Sequence, residues 1–257
     1  MNTQLNKELL DELHYRFNNV DFIADDPISI PHSFTAREDI EISGFLAATI
    51  AWGNRKAIVK SARRMMEFLD NAPYDFVVNH SEAELLTLQK YVHRTFNGGD
   101  FTDFIRALKG ICQKHKSLGE YFQGEYRRCG SIPLVISQFR SDFFSAEHSP
   151  RCEKHLSSID KGSACKRVNM YLRWMVRHDD NGVDFGLWSD IPSSALYLPL
   201  DVHSGNVARH LGLLTRKQSD WRAVAEVTEN LRQFDVNDPV KYDFALFGAG
   251  ISGLIKP

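Results

Sequence analysis

Cysteine is scarce in this sequence and never paired. Cys112, Cys129, Cys152 and Cys165 are the four present, and none falls in a C-x-x-C or other ligand-like spacing. That pattern argues against a disulfide framework, a structural zinc site or an iron–sulfur cluster, and reads as reduced thiols. Long apolar runs are missing too: no stretch reaches the ~18 residues of a membrane span. The opening Met-Asn-Thr-Gln-Leu-Asn-Lys-Glu is too polar for a secretion signal, so a cytoplasmic protein is expected. Nor is one charge in excess. With 31 Lys and Arg against 33 Asp and Glu, the formal charge is −2, so any surface for a polyanion has to be a local patch. Alternating runs of strand length and internal repeats are also lacking, which leaves an all-α chain.

What is present is helical periodicity. At 257 residues the chain can bury a large core, as one domain or two packed lobes. Leu9, Leu10, Leu13 and Phe17 share a face of a first helix. After breaks at Pro27 and Pro31, Thr35-Ala-Arg-Glu38 reads as a capping box. It launches a central helix from Ile40 to Trp52, closed by Gly53. Asn54 starts the next helix, whose exposed side carries Arg55, Lys56, Lys60, Arg63 and Arg64, as readily a solvated face as a nucleic-acid track. Ser81-Glu-Ala-Glu84 is a second box, before a short helix to about Lys90. Helical spacing recurs from Asp100 to Lys116 and from Ile132 to Phe144, and Ala146 to Ser158 reads as loop. Ser219 to Phe234 is amphipathic through Val224, Val227 and Leu231. Asp238-Pro239 forms an N-cap with proline in the first turn, opening a last helix through Phe247.

Between these lies a two-part stretch. From Lys161 to Arg177 a tight turn feeds a helix with Val168, Leu172 and Met175 inward, and five Lys or Arg occur without one acid. After a long connection from Asp179 to Pro199, Leu198-Pro-Leu-Asp201-Val-His203 opens a second helix, with Asp201 at the N-cap and Gly212 as the stop. An amine at one helix start and a carboxylate at another form a candidate reactive pair.

This stretch resembles the helix-hairpin-helix DNA glycosylase superfamily, most closely its 8-oxoguanine branch and a bacterial family of unassigned function with that fold. On the family's Pro-Gly-Val-Gly-x-Lys hairpin, Gly162 falls on the first glycine, Ala164 on the second and Lys166 on the catalytic lysine. Pro199-Leu-Asp201-Val-His203 falls on Pro-Val-Asp-Val-His, and Phe244-Ala-Leu-Phe247 on the final helix. Ala51-Trp-Gly-Asn54-Arg-Lys resembles the turn whose asparagine fills the space of a displaced base. The likeness spans roughly residues 36–254, with an alanine at one hairpin glycine and a longer Lys-to-Asp connection as departures. It implies a helix-hairpin-helix glycosylase fold with two lobes, about 36–145 and 1–35 plus 146–257, flanking a cleft. It also implies double-stranded DNA with a damaged base as the partner of a nucleoid-associated monomer. Gly162, Ser163, Ala164, Arg167, His203, Asn54 and Arg55 would contact DNA, with Asp243, Phe247 and Trp52 as the base pocket. No cofactor and no metal are implied.

The chemistry suits these residue types independently. Base removal leaves oxocarbenium-like charge on the sugar, and a lysine amine can attack that carbon to form a Schiff base. A helix N-terminus with cations such as Lys161 and Arg167 nearby works against the ammonium form. Asp201 can balance the cationic sugar and move protons. Glycine-bearing turns at a helix start offer N–H groups to phosphate. Taken alone, Lys166 reads as a solvated helix-start lysine and Asp201 as an ordinary cap; Trp52, Trp174, Trp188, Phe244 and Phe247 fit a core equally well. His14, His93 and His210 read as structural. A non-catalytic helix-hairpin-helix DNA-binding protein is the alternative, and a nucleoside hydrolase on the same scaffold a third reading.

Overall fold

In the computed structural model, which describes residues 3–255, the chain forms two units: residues 3–22 with 158–255, and residues 23–157. Both are helical. The segments 23–35 and 146–157 therefore go with the second unit, not with the chain ends as expected from the sequence. Buried residues anchor them there: Ile28 and Ile30 in one segment, and in the other Cys152 and His155, whose Nε2 lies 3.2 Å from Asp100.

Helix α1 (Thr3–Phe17) opens the terminal unit. The second unit begins with three short 3-10 turns and the central helix α2 (Arg37–Thr49), buried from Ile40 to its end. The Thr35–Glu38 capping box does not form. The N-cap is Ala36, which makes no side-chain bond, so Asp39 takes the third helical position. Its carboxylate accepts instead from the Tyr74 N–H at 2.9 Å, supplying a first-turn amide of α4 (Pro73–Asn79). Trp52 lies beyond the end of α2, and Gly53 adopts φ +102°. Helix α3 (Arg55–Glu67) is capped by Asn54, which accepts from the Ala57 N–H. The Ser81–Glu84 box is formed and starts α5 (Glu82–Thr87).

A two-residue hairpin, β1 (Val92–His93) and β2 (Phe96–Asn97), precedes α6 (Gly98–His115), which buries Phe104, Leu108 and Ile111 as its spacing requires. Helices α7 (Leu118–Cys129) and α8 (Ile132–Phe143) complete the unit, followed by a 3-10 turn, Pro150–His155, where the sequence reads as loop. Edge-to-face rings bind its core: Phe45 on Phe139 at 5.5 Å and Phe104 on Phe143 at 4.8 Å.

The terminal unit resumes with α9 (Lys166–Val176), α10 (Val202–His210), α11 (Trp221–Arg232) and α12 (Tyr242–Ser252). The long connection after α9 is anchored by N–H groups of Phe185 and Trp188, which donate to the Trp174 and Met175 carbonyls at 2.7 and 3.0 Å. Two carbonyls that a helix end leaves open are thereby satisfied. Helix α10 stops at Gly212 (φ +66°), where Leu213 N–H reaches Ala208 O and Gly212 N–H reaches Arg209 O, a Schellman motif. Helix α12 packs on α1 and α10. At Gly248 an added Cβ would lie 2.3 Å from the Phe17 ring, and at Gly250 3.0 Å from His203, so glycine sets both approaches. Around this helix Leu10, Leu13, Val207, Val224, Val227, Leu231 and Leu246 form the core. No helix among the described residues is long and apolar enough to cross a membrane, none of their His, Cys, Asp and Glu form a metal-ligand group, and all four cysteines are free.

Candidate active site

The turn before α9 is built by local hydrogen bonds. Gly162 N–H donates to Ile159 O at 2.8 Å and Ser163 N–H to Ser158 O at 3.1 Å, with Gly162 at φ +78°. Apart from its chain neighbours, no heavy atom lies within 4 Å of where a Gly162 side chain would begin, so that side of the turn is open. Ser163 pairs as a single antiparallel bridge with Asp220, and Trp221 N–H donates to Gly162 O, tying the turn to the start of α11. Ala164 tolerates its place because the left-handed residue here is Cys165 (φ +47°), which turns the chain into α9. No side chain caps this helix and its first turn holds no acid, whereas Asp201 and Asp220 cap α10 and α11. The positive end of α9 is thus left open toward an anion.

Lys166 is the first residue of α9 and half-buried. Its Nζ lies 3.2 Å from the Met170 sulfur and makes no ion pair among the described residues. Arg167, beside it, is half-buried, and lost hydration lowers its guanidinium to about 10 against a small opposing effect of Cys165.

Asp201 caps α10 in a reciprocal box. Its Oδ1 accepts from Ser204 N–H at 3.0 Å and Ser204 Oγ at 3.1 Å, while Ser204 Oγ accepts from Asp201 N–H. Oδ2 makes no hydrogen bond to any described residue. The carboxylate is therefore held by one oxygen and open at the other.

Asp243, in the first turn of α12, connects the two. Its carboxyl is pushed up to about 6, first by burial and further by the negative charge of Asp201; Arg173 and Lys166 oppose. Lys166, Asp201 and Asp243 thus share one electrostatic neighbourhood drawn from three helix starts. Phe247, one turn along α12, is half-buried, with Phe22 at 6.3 Å and the exposed His203 at 6.1 Å, both edge-on. Asp243 faces inward and Phe247 the rim.

What the sequence reading missed is the cation beneath Asp243. Arg173 is 4% exposed; it donates through Nη1 to Asp243 and through Nε to Asp184 at 3.2 Å, and lies 4.3 Å above the Phe244 ring. Arg177, one turn on, is also buried and reaches Asp179, Asp184 and Asp238. Two arginines and four aspartates from four segments make one buried network. It also explains why Asp238 caps nothing: its carboxylate accepts from Arg177 Nε at 2.8 Å, Pro239–Lys241 forms a 3-10 turn, and α12 starts only at Tyr242. Helix α9 is accordingly buried nearly all round, not along one stripe. The available signal was the 173/177 spacing, which places both cations on one face of the helix.

The remaining candidates belong to the other unit, where each has a local partner. Asn54 is exposed and caps α3, and Arg55 pairs with Asp26 at 3.3 Å. Trp52 is half-buried, stacked on His155 at 5.7 Å and edge-on to His93 at 5.2 Å. Trp174 and Trp188 are fully buried core residues.

Over residues 26–252 the sequence matches the family described as protein of unknown function DUF2400, and the chain belongs to that family. No curated protein and no solved structure matches it.

Proposed function

We propose that this chain is a DNA glycosylase with a strand-nicking lyase step, acting as a monomer on duplex DNA at the nucleoid and excising a damaged purine, oxidised guanine first. The observation that carries the reading is the common neighbourhood of an unpaired amine, Lys166, and a half-held carboxylate, Asp201, beside an uncapped helix N-terminus. No carboxylate among the described residues is bound to this amine to hold it as an ammonium, and the neutral amine is the nucleophile that the reaction requires.

In this reaction the neutral Lys166 amine attacks C1′ of the nucleotide, the C1′–N bond breaks, and its electron pair leaves with the base, which takes the proton that Nζ gives up. The sugar ring opens to a Schiff base. Loss of a C2′ proton then expels the 3′ phosphate and nicks the strand. Asp201 Oδ2 faces the developing positive charge, while Oδ1 stays fixed on Ser204. The turn at Gly162, Ser163 and Ala164 lets the strand approach, and the α9 N-terminus, Arg167 and His203 take phosphate oxygens. Asp243, anchored to Arg173 by Oδ2, offers Oδ1 to the N–H donors on the guanine Watson–Crick edge, and Phe247 supplies a stacking face.

Borohydride trapping on a panel of lesion-containing duplexes tests this. A covalent adduct on the 8-oxoguanine duplex is expected. Binding without an adduct on any lesion would replace the reading with a non-catalytic DNA-binding role.

A further inference from the structure

Helix α3 carries a second feature that the proposed chemistry does not use. An open groove of about 430 Å³ runs along it, lined by Lys56, Lys60, Arg63 and Arg64, with Asp25 and Glu67 as its two acids. All four cations are exposed, and none is ion-paired among the described residues. This sets them apart from arginines elsewhere in the same unit, such as Arg55 on Asp26, Arg106 on Glu82 and Arg140 on Glu153. Arg64 lies over the Phe68 ring at 5.4 Å, which steadies the guanidinium without neutralising it. Helix α3 also begins without an acid in its first turn, so the positive end of its dipole adds to the same field.

Lys56, Lys60 and Arg64 recur every fourth residue, so three cations align over about 12 Å of helix. One strand of duplex places a phosphate about every 3.4 Å along its axis, so this row spans roughly three to four of them. The apolar residues of the helix, Ile58, Ala62, Met65 and Met66, are buried, and only half-buried Val59 reaches the groove. A membrane surface needs bulky apolar side chains to insert, and a protein partner needs aromatic or large apolar anchors; the apolar lining of the groove is Val59 and Ala24, too small for either. We propose that the α3 groove is a phosphodiester-backbone track that holds duplex DNA without regard to sequence or lesion. The assignment of DNA as its occupant rests on the proposed glycosylase function.

The test is fluorescence anisotropy of the full chain with an undamaged 20-base-pair duplex across a salt series. Changing Lys56, Lys60, Arg63 and Arg64 together to Gln should make the salt slope shallower by about three and weaken binding at least tenfold at about 100 mM salt. Lys56→Gln with Lys60→Gln, and Arg63→Gln with Arg64→Gln, should each give part of that loss, so the answer survives if the fourfold variant folds poorly. Asp25→Asn with Glu67→Gln should tighten binding. Equal slopes for all these proteins overturn the track, as does anionic vesicle binding that depends on the groove while duplex binding does not. Loss of slope in a protein that excises no lesion overturns the enzyme reading and leaves the track standing; normal excision with an unchanged slope does the reverse.

Discussion

Arg173 holds Asp243 and Asp184 at once, by Nη1 and Nε of a single buried guanidinium. This joins α9 to α12 and to the long connection between α9 and α10. Removing the cation would strand two carboxylates away from water, which typically costs about 3–5 kcal/mol. Arg173→Met is expected to lower urea-unfolding stability by that amount with an unchanged m-value. The loss should be smaller at pH 5, where Asp243 accepts a proton, than at pH 8.

The terminal unit also holds two groups that titrate in the same window with opposite effects. Asp243 rises from 3.8 to about 6 on folding, so between these values the folded state binds more protons. Its share of stability is therefore present below about pH 3.8 and lost as pH rises through 6. His14 falls from 6.5 to about 4, driven by burial and then by Arg177 and Lys241, so the unfolded state binds more protons there. Its share is present above pH 6.5 and lost as pH falls toward 4. Melting temperature against pH should lose its alkaline-side decline in Asp243→Asn and its acid-side decline in His14→Gln. Matching profiles in all three proteins would refute both assignments.

The Lys166→Ala variant should lose both excision and borohydride trapping while binding DNA almost normally, because the amine is removed and the backbone phosphate contacts stay. Single-turnover excision beside a binding isotherm reads both. Normal excision would rule out Lys166, and Lys161 in the preceding turn would be the next amine to replace.

How far the fold was legible follows from how local its causes are. Asp201 and Ser204, Ser81 and Glu84, and Asn54 and Ala57 are partners three residues apart, so their caps could be read directly. Thr35 and Asp238 fit the same rule but fail it, because Asp39 is drawn to Tyr74 and Asp238 to Arg177, 35 and 61 residues away. Helix α7 escaped notice because Gly119 and Gly124 dilute its apolar pattern; its cap, Ser117 accepting from Glu120 N–H, is ordinary. Around the candidate site, the positions of Lys166 at one helix start and Asp201 at another were legible, because both are set by local turn and cap chemistry. The Arg173 network was not, since which carboxylates meet which guanidinium is decided by tertiary packing.

Asp201 has two roles that substitution can separate. Asp201→Asn keeps a carbonyl oxygen to accept from Ser204 N–H, so stability should fall by about 1 kcal/mol or less. Excision should drop by about 10²–10³ or more, because an amide cannot balance the sugar cation. A lowered melting temperature with full activity would reduce Asp201 to a cap.

Phe247 separates pocket from core in the same way. Its neighbour Phe244 is 1% exposed beneath Arg173, so Phe244→Ala should cost the roughly 3–5 kcal/mol of a buried ring. Phe247 is half-buried, with the rings of His203 and Phe22 edge-on at 6.1 and 6.3 Å, and its truncation should cost clearly less. If its ring stacks on an extruded base, Phe247→Ala should raise KM about 5- to 150-fold, since base–aromatic stacking contributes about 1–3 kcal/mol. Asp243→Ala should instead narrow the preference for oxidised guanine over alkylated adenine, as adenine offers one fewer donor to a carboxylate. Stability loss in Phe247→Ala matching that of Phe244→Ala, with KM unchanged, would make Phe247 a core residue and withdraw the guanine assignment with it.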